Sequence, residues 1–228
     1  MNKYYLQARL APTVLTSIPL VVCYFYTVAP FVHEYFDSAP ALPTISDISL
    51  PFAIVLLLVQ LNRLLSKEIF QKFYFKDEIN MPSTNYLLHN DSTFTNDIKA
   101  KIKQKIFKDF DISLYSHDRE ISEELGARKQ ICFAVSQIRV VLKNNIMLFR
   151  HNVEYGFFRN LLGGCILAVI FSLTLIIFSA ALQNEGLRNF GIFLFTIYLL
   201  PIIFSKYIIN RFGHYYAKIL FEQYLIIK

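Results

Sequence analysis

The sequence predicts an all-α integral membrane protein with four transmembrane helices, arranged as two pairs, and a helical cytoplasmic module inserted between spans 2 and 3. Hydrophobic residues make up 54% of the 228 residues and charged residues only 18%, against about 45–50% and about 25% in soluble domains. Cys23, Cys132 and Cys165 lack the paired spacing that indicates a disulfide framework or a structural zinc site. The composition therefore favours a lipid environment.

Four stretches are long and apolar enough to cross a hydrocarbon core about 30 Å thick, which requires about 20 helical residues. They are Ala11–Val32, Ile48–Ile69, Leu161–Leu182 and Phe190–Ile209. The first is too long for the apolar part of a signal peptide and has no small-residue cleavage site after it. Polar residues interrupt the second stretch after its first half, but its apolar residues continue at helical spacing. We therefore expect this second helix to run beyond the lipid into water.

The distribution of Lys and Arg predicts the orientation. The segment His33–Asp47, between the first two spans, contains neither residue, and the turn Gln183–Asn189 contains only Arg188. All other basic residues lie before the first span, within or after the second, or near the opposite ends of the third and fourth spans. Because basic loops stay on the cytoplasmic side, we expect an inner-membrane protein with both termini and the middle segment Lys67–Phe158 in the cytoplasm.

These observations divide the chain into three expected parts. Residues 1–69 form a transmembrane helix pair, residues 70–158 the cytoplasmic helical module, and residues 159–228 a second transmembrane pair with a cytoplasmic tail. The middle segment Lys67–Phe158 carries 14 Lys or Arg and 12 Asp or Glu, so it is a mixed-charge module and not a polybasic tail.

Two helices are expected in the module. Thr95 is the expected N-cap of the first, whose apolar stripe is Ile98, Ile102, Ile106 and Phe110. The second is expected to begin near Ser116–Asp118 and to continue to about Phe149. Its apolar residues follow the 4-3 spacing typical of packed helices, and they are Ile121, Leu125, Cys132, Val135, Leu142, Ile146 and Phe149.

The first module helix carries five lysines within ten residues, with no acidic residue between them. They are Lys99, Lys101, Lys103, Lys105 and Lys108. Clustered lysines near a bilayer gain about 1 kcal/mol each from anionic lipid. The cluster indicates either a contact with anions at the membrane surface, with lipid headgroups as the favoured anion, or an ordinary solvated helix face.

Three arginines recur every eleven residues. Because eleven residues make almost three turns of an α-helix, Arg128, Arg139 and Arg150 would point in roughly the same direction on one continuous helix, close to its apolar seam. An unpaired charge there would be costly, so each guanidinium needs an anionic partner. The hypothesis is a site for a phosphorylated ligand, and the alternative is a structural network with Glu123, Glu124 or Asp111.

The junction before the third span contains Gly156, where the helix could break or bend to give a hinge. His151 and Glu154 have a spacing that suits metal ligation, but two candidate ligands are too few. We expect no metal site.

The third span carries a ridge of small residues on one face, namely Gly164, Ala168, Ser172 and Ser179. Such a ridge lets helices approach closely in lipid. The pattern leaves open whether the helix that it meets belongs to the same chain or to another copy.

No ionisable residue lies deep in any predicted span, which disfavours ion-coupled transport. Prolines in the first and fourth spans are compatible with a gated pore or with ordinary helix packing. The sequence has no phosphate-binding glycine loop, no HExxH motif and no nucleophile with a base pattern nearby. We therefore expect no enzymatic activity and no cofactor. The formal net charge of +6 is explained by basic cytoplasmic loops, and nothing points directly to nucleic acid.

The layout of two spans, a module and two more spans resembles that of small four-span bacterial membrane proteins predicted as effectors in nucleotide-signalled anti-phage systems. Two passages also resemble ones found in proteins of this shape, Met81-Pro82-Ser83-Thr84-Asn85-Tyr86-Leu87-Leu88 and Glu154-Tyr155-Gly156-Phe157-Phe158-Arg159-Asn160-Leu161-Leu162-Gly163. The resemblance implies a membrane component that permeabilises the inner membrane after a cytosolic signal. It assigns no active residue.

Two functions therefore remain open. In the first, copies of the chain assemble as a homo-oligomer that forms or gates a pore, and the module senses a nucleotide second messenger or a partner protein. In the second, the spans anchor a scaffold on which a soluble partner protein docks.

Overall fold

The computed structural model describes residues 3–35, 41–76 and 78–227, with the side chains at 31–33, 35 and 41–48 left out. The described residues are almost entirely helical and contain no strand. In chain order the helices are α1 (Lys3–Tyr5), α2 (Ala11–Thr16), α3 (Ile18–Tyr35), α4 (Ala41–Leu65), α5 (Lys72–Phe75), α6 (Pro82–Asn85), α7 (Asn96–Phe110), α8 (His117–Ser122), α9 (Glu124–Val141), α10 (Ile146–Ala181), α11 (Glu185–Ile203) and α12 (Ser205–Ile226). Two π-helical segments, Leu6–Leu10 and Ser66–Gln71, connect helices without a break.

Three continuous helical segments of the described chain are long and apolar enough to cross a membrane. They are Ser49–Phe75, Ile146–Ala181 and Glu185–Ile203. A pair bent by 45°, Lys3–Thr16 followed by Ile18–Pro30, adds a fourth if the pair counts as one span. The prediction of an all-helical fold is confirmed, and the helices are compatible with a membrane protein.

The observed ends of these helices differ from the expected ones. α4 begins at Ala41, within the loop expected over His33–Asp47; residues 36–40 of that loop lie outside the described part. α10 begins at Ile146, well before Leu161. The fourth span was expected to reach Ile209, but α11 ends at Ile203. A proline at position 201 lies in the last turn of α11, and prolines commonly terminate or kink helices.

The chain forms two compact units. The first comprises Met1–Phe70 and Gly156–Lys206. These ranges contain the helices that are long and apolar enough to cross a membrane, except for the last residues of Ser49–Phe75 and the first residues of Ile146–Ala181. Its apolar core joins α3, α10 and α11, and the buried members are Cys23, Cys165, Ala168, Leu175, Leu187, Leu194 and Tyr198. We call this unit the apolar-span unit.

The second unit comprises Gln71–Tyr155 and Tyr207–Lys228. Its core is formed by the turn-rich segment after α6 together with α7, α9, α10 and α12, and its largest fully buried side chains include Leu87, Ile102, Ile106, Ile138, Leu142, Leu220, Phe221 and Tyr224. We call this the helical unit. The segment expected to be a C-terminal tail thus contributes a packed helix to the same core as the middle of the chain.

The first expected helix of the module is confirmed by α7. Thr95 has extended backbone angles, and its side chain accepts a hydrogen bond from the Ile98 N–H, as an N-cap does. Ile102 and Ile106 are fully buried. Asp111 ends the helix in the left-handed region with φ of 56°.

The second expected helix begins near Ser116–Asp118 as predicted, since α8 starts at His117, but its continuation to Phe149 is wrong. The chain breaks at Glu123, again over residues 142–145, and then starts α10. The side chain of Asn145 accepts a hydrogen bond from the Leu148 N–H over 2.9 Å, which is the N-cap interaction that begins a new helix. Part of the expected apolar seam therefore does not face the core, because Ile121, Leu125 and Ile146 are exposed.

Candidate functional site

The apolar-span unit contains a buried cluster of polar side chains, which we call the polar cluster: Thr13, Thr16, Asn62, Ser66 and Asn160. The Asn62 amide donates to the hydroxyl oxygens of Thr13 and Thr16 over 3.1 and 3.3 Å. The Ser66 hydroxyl donates to Asn160 Oδ1 over 3.3 Å, and the Asn160 amide donates to the Ala8 carbonyl over 2.6 Å. Side chains from α2, α4, the following π-helical segment and α10 are therefore joined by hydrogen bonds inside an otherwise apolar unit.

One atom of the polar cluster is unsatisfied. Asn62 is 1% exposed, and its Oδ1 has no hydrogen-bond partner among the described residues. A buried amide oxygen without a partner costs about 1–3 kcal/mol. The unpaired oxygen therefore destabilises the apolar-span unit, and a hydrogen-bond donor that reached Asn62 would relieve this cost.

Glycines allow the helices to approach closely around the polar cluster. A Cβ added to Gly163 would lie closer than 3.0 Å to the Asn62 carbonyl and the Ser66 amide nitrogen, and one added to Gly164 closer than 3.0 Å to the side chains of Thr16 and Asn62. These contacts lie within one chain. Ala168, Ser172 and Ser179 of the predicted small-residue ridge are buried in the same unit. The ridge is therefore a packing surface inside the chain, and Gly163, which the sequence analysis did not include, makes the tightest contacts.

Gly156 does not break α10, which runs unbroken from Ile146 to Ala181. A Cβ at this position would lie 2.7 Å from the Tyr4 hydroxyl and 3.1 Å from the Ala8 Cβ. The glycine thus permits a close approach of the N-terminal segment, and the expected break in the helix is wrong. A role as a hinge stays a prediction.

The helical unit contains an open cavity of about 350 Å3, which we call the basic cavity. It is lined by His89, Asn96, Lys99, Ala100, Lys103 and His117. Four of these residues come from α7 at positions i, i+3, i+4 and i+7, the spacing that places side chains on one helix face. His89 precedes this helix, and His117 is the first residue of α8. The lining contains two ammonium groups, two imidazoles and no carboxylate.

A chain of polar contacts orders one side of the basic cavity. The buried Glu120 carboxylate accepts from the His89 backbone N–H over 2.8 Å, and its other oxygen lies 3.2 Å from His89 Nδ1. The Lys103 ammonium lies 3.2 Å from His89 Nε2 and 3.3 Å from Nδ1. Because it is almost equally far from both ring nitrogens, it lies against the face of the imidazole and not along a nitrogen lone pair. A cation in this position favours a neutral His89 over a charged one.

The electrostatics agree with that protonation state. Burial lowers the pKa of His89, Lys103 lowers it further, and Glu120 opposes the shift. Burial also lowers the pKa of Lys103, with Glu120 opposing and the charge of Lys99 adding to the decrease. Both groups thus bear a cost for positive charge, which an anion in the cavity would reduce.

The five lysines of α7 do not form one surface. Lys99 is buried, and its ammonium donates to the backbone carbonyls of Leu88, His89 and Asp91. Lys103 contacts His89, and Lys105 forms an ion pair with Asp109 over 3.1 Å. Neither interpretation of the cluster holds for Lys99, because its buried ammonium belongs neither to a solvated helix face nor to a membrane-contact surface. Only Lys101 and Lys108 are exposed, and contact of these two with a membrane surface stays a prediction.

The arginine row is also divided. Arg128 and Arg139 lie on α9 but Arg150 lies on α10, after the turn at residues 142–145, so the premise of a common helix is wrong. Arg128 is paired with Glu124 over 2.8 Å and donates to Asn85 Oδ1 over 2.7 Å.

Arg139 is paired with Glu78 over 3.0 Å and lies over the Tyr216 ring. Arg150 is exposed. The structural network, which was the alternative to a ligand site, accounts for Arg128, because Glu124 was one of its expected partners. The sequence analysis did not predict the partner of Arg139. A ligand role for these residues stays a prediction.

The sequence predicts neither cluster, for identifiable reasons. Asn62 interrupts the apolar stretch of the second span and Asn160 lies in the junction before the third, although a polar residue within an apolar helix signals a partner on another helix. The residues of the basic cavity have helical spacing within α7, but nothing in the sequence brings His89 and His117 to that face.

The described residues contain no group of three His, Cys, Asp or Glu side chains arranged to hold a metal ion. Comparison of the chain with family models finds no match, and neither curated proteins nor solved structures give a significant match.

Proposed function

We propose that this chain is a four-span bacterial inner-membrane protein with an inserted cytoplasmic module, and that it permeabilises or depolarises the membrane when the module receives a signal. Homo-oligomers would form the conducting assembly, and the resemblance described above makes anti-phage defence the proposed setting. The observation that carries the proposal is the polar cluster, buried in the unit that contains the apolar spans.

The unsatisfied oxygen of Asn62 supports a membrane unit that opens. In hydrocarbon, a polar group that lacks a partner is costly, and irregular or polar elements are tolerated where they line a water-filled path. The penalty at Asn62 Oδ1 destabilises the closed packing relative to an arrangement in which water reaches the amide. A helix-packing role alone would favour complete pairing of this side chain.

The proposed orientation places the middle segment and the C-terminus on the cytoplasmic side. Its main support is the scarcity of Lys and Arg in His33–Asp47 and Gln183–Asn189. A second support is that α12 shares a core with α7 and α9, which requires those three helices to lie on one side of the bilayer.

Cysteine labelling tests the orientation. In a background without native cysteines, a Cys replacing Leu42 should react with an impermeant reagent in intact cells, and a Cys replacing Ser113 should react only after lysis. The opposite pattern would show that the orientation is inverted.

A potential-sensitive dye tests the function. Phage challenge of cells that carry the native system should lower the membrane potential, because the proposed function requires a signal to the module. Asn62→Leu should reduce depolarisation, because it replaces the amide with an apolar side chain of similar size. Gln60→Leu, at an exposed position two residues earlier, is the matched control and should behave as the wild type does.

Equal membrane levels of the two variants, measured by immunoblotting, are required for the comparison. If polarisation persists through infection while protection is retained, the pore function is refuted and the scaffold function replaces it.

The scaffold function has one observation in its favour. Several large apolar side chains of the helical unit are exposed, including Phe107, Ile121, Leu125, Phe133 and Val140. A soluble partner that covered these side chains would remove their apolar surface from water, which favours binding. Membrane potential distinguishes the two functions, because an anchored scaffold gives no depolarisation during infection.

A further inference from the structure

We propose that the basic cavity binds the phosphate group of a small molecule or lipid headgroup. The proposal specifies the ligand of the module that receives the signal, and it rests on the proposed function for its biological meaning. The binding site itself is argued from the residues that line the cavity.

The lining of the basic cavity is positively charged. Lys99, Lys103 and the two imidazoles face a common cavity without a carboxylate among the lining residues. Glu120 compensates part of this charge, but both of its oxygens are occupied by the backbone N–H and ring of His89. A net positive lining that the protein does not neutralise is the arrangement expected for an anion site.

The cavity lining contains free hydrogen-bond donors. The Lys99 ammonium has three N–H groups and directs its hydrogen bonds to three backbone carbonyls, so it supplies charge but no donor. The Lys103 ammonium lies against the ring of His89, 3.2 Å from Nε2 and 3.3 Å from Nδ1. A neutral imidazole offers a single lone pair, so at least two N–H groups of Lys103 stay free to donate. Together with His117 and Asn96, Lys103 can donate to several oxygens of one tetrahedral anion.

The size of the cavity suits a small phosphorylated ligand. A cavity of about 350 Å3 lies at the lower end of the range of ligand pockets, roughly 300–1,000 Å3, so it suits a phosphate with a small attached group. Lysine is a common phosphate ligand.

The experiment uses the full chain in nanodiscs of phosphatidylcholine, with inorganic phosphate and pyrophosphate as probes in isothermal titration calorimetry. The wild type should bind both probes. Lys103→Met and His117→Gln should each weaken binding by about tenfold or more, which corresponds to the loss of one charge-assisted hydrogen bond. Lys129→Met, which removes an exposed lysine on α9, is the charge-matched control and should bind as the wild type does.

Melting curves without ligand show whether each variant is folded. His117 is exposed, so His117→Gln keeps the test valid even if Lys103→Met does not fold. Absence of binding to the wild type, equal binding by all variants, or an equal loss in Lys129→Met would each overturn the proposal.

Two further nanodiscs identify the source of the phosphate. One contains phosphatidic acid, which carries a phosphomonoester, and the other phosphatidylserine at matched surface charge. Weaker pyrophosphate binding only with phosphatidic acid would support the site and assign it to a lipid headgroup. Equal binding in both would support the site and assign it to a soluble ligand.

Failure of this inference is separable from failure of the proposed function. Depolarisation by the wild type without phosphate binding would refute the site and leave the pore. Phosphate binding without depolarisation would refute the pore and leave the site as the ligand-binding part of a scaffold.

Discussion

The Tyr198 hydroxyl donates a hydrogen bond to the backbone carbonyl of Leu15. The residue four positions after Leu15 is Pro19. In a regular α-helix the N–H of residue 19 would donate to this carbonyl, but proline has no N–H. The chain bends by 45° between α2 and α3, and a side chain from α11 supplies the missing donor. In lipid, a backbone group freed by proline must be satisfied in some such way.

Tyr198→Phe should therefore destabilise the apolar-span unit by about 0.5–2 kcal/mol, because the Leu15 carbonyl loses its donor. The double-mutant cycle with Pro19→Ala isolates the cause. Alanine restores an N–H at position 19, so Tyr198→Phe should cost less in that background. Unfolding of the detergent-solubilised chain measures each free-energy difference. Equal costs in both backgrounds would show that the hydroxyl does not compensate for the proline.

This relationship marks the limit of what the sequence predicts for the spans. Long apolar stretches identify the helices, since they must satisfy their own backbone hydrogen bonds in lipid. Pro19 can be read as a kink. Which side chain relieves it depends on tertiary contact between positions 183 residues apart, and no periodicity carries that information. The same reason explains why the sequence does not predict the contacts of Asn62 and Asn160.

Gly163→Ala should destabilise the packing around the polar cluster. The added Cβ would overlap backbone atoms at Asn62 and Ser66, which cannot move aside as a flexible side chain can. Overpacking of this kind costs about 1–3 kcal/mol. Gly186→Ala is the control, because a Cβ there meets only Asn184 Oδ1 at an ordinary distance of 3.5 Å. Thermal unfolding in detergent reports both effects, and an unchanged melting temperature for Gly163→Ala would refute the close contact.

Lys99→Met should destabilise the helical unit by about 1–3 kcal/mol, because the variant leaves the carbonyls of Leu88, His89 and Asp91 without their shared donor. Methionine retains most of the length and apolar volume of the lysine stem. Lys101→Met changes an exposed residue two positions later and should have little effect. Hydrogen exchange of the full chain would localise the change to the loop before α7. Equal stability of the two variants would show that Lys99 does not hold that loop.

The helical unit shows how local and non-local information divide. The cap at Thr95 and the stripe with Ile102 and Ile106 are local, and they predict α7 correctly. The prediction of one lysine surface on the same helix is wrong, because residues two apart on a helix face different directions. The turn at residues 142–145 was missed because apolar spacing was extended across it, whereas Asn145 is a recognisable N-cap.

Two histidines of the helical unit give it a pH-dependent stability. Burial lowers the pKa of His89, with Lys103, His117 and Lys99 adding to the decrease and Glu120 opposing it. Burial also lowers the pKa of His214, with Arg211 adding and Asp91 opposing. The Tyr86 hydroxyl lies 2.6 Å from His214 Nδ1, and burial raises the pKa of that hydroxyl to about 12. A neutral tyrosine therefore donates to a neutral imidazole.

The melting temperature of the full chain should accordingly fall as the pH is lowered from about 7.5 to about 5, on either side of the unperturbed histidine pKa of about 6.5. In that range the unfolded chain takes up protons that folded His89 and His214 resist, so protonation favours unfolding. The stability is fully present above about pH 6.5 and is lost as the pH falls through the lowered pKa values.

His214→Gln should reduce the pH dependence while lowering stability near neutral pH, because the contact with Tyr86 is changed. A melting temperature that rises toward acidic pH, or a slope that His214→Gln leaves unchanged, would contradict the neutral state assigned to these imidazoles.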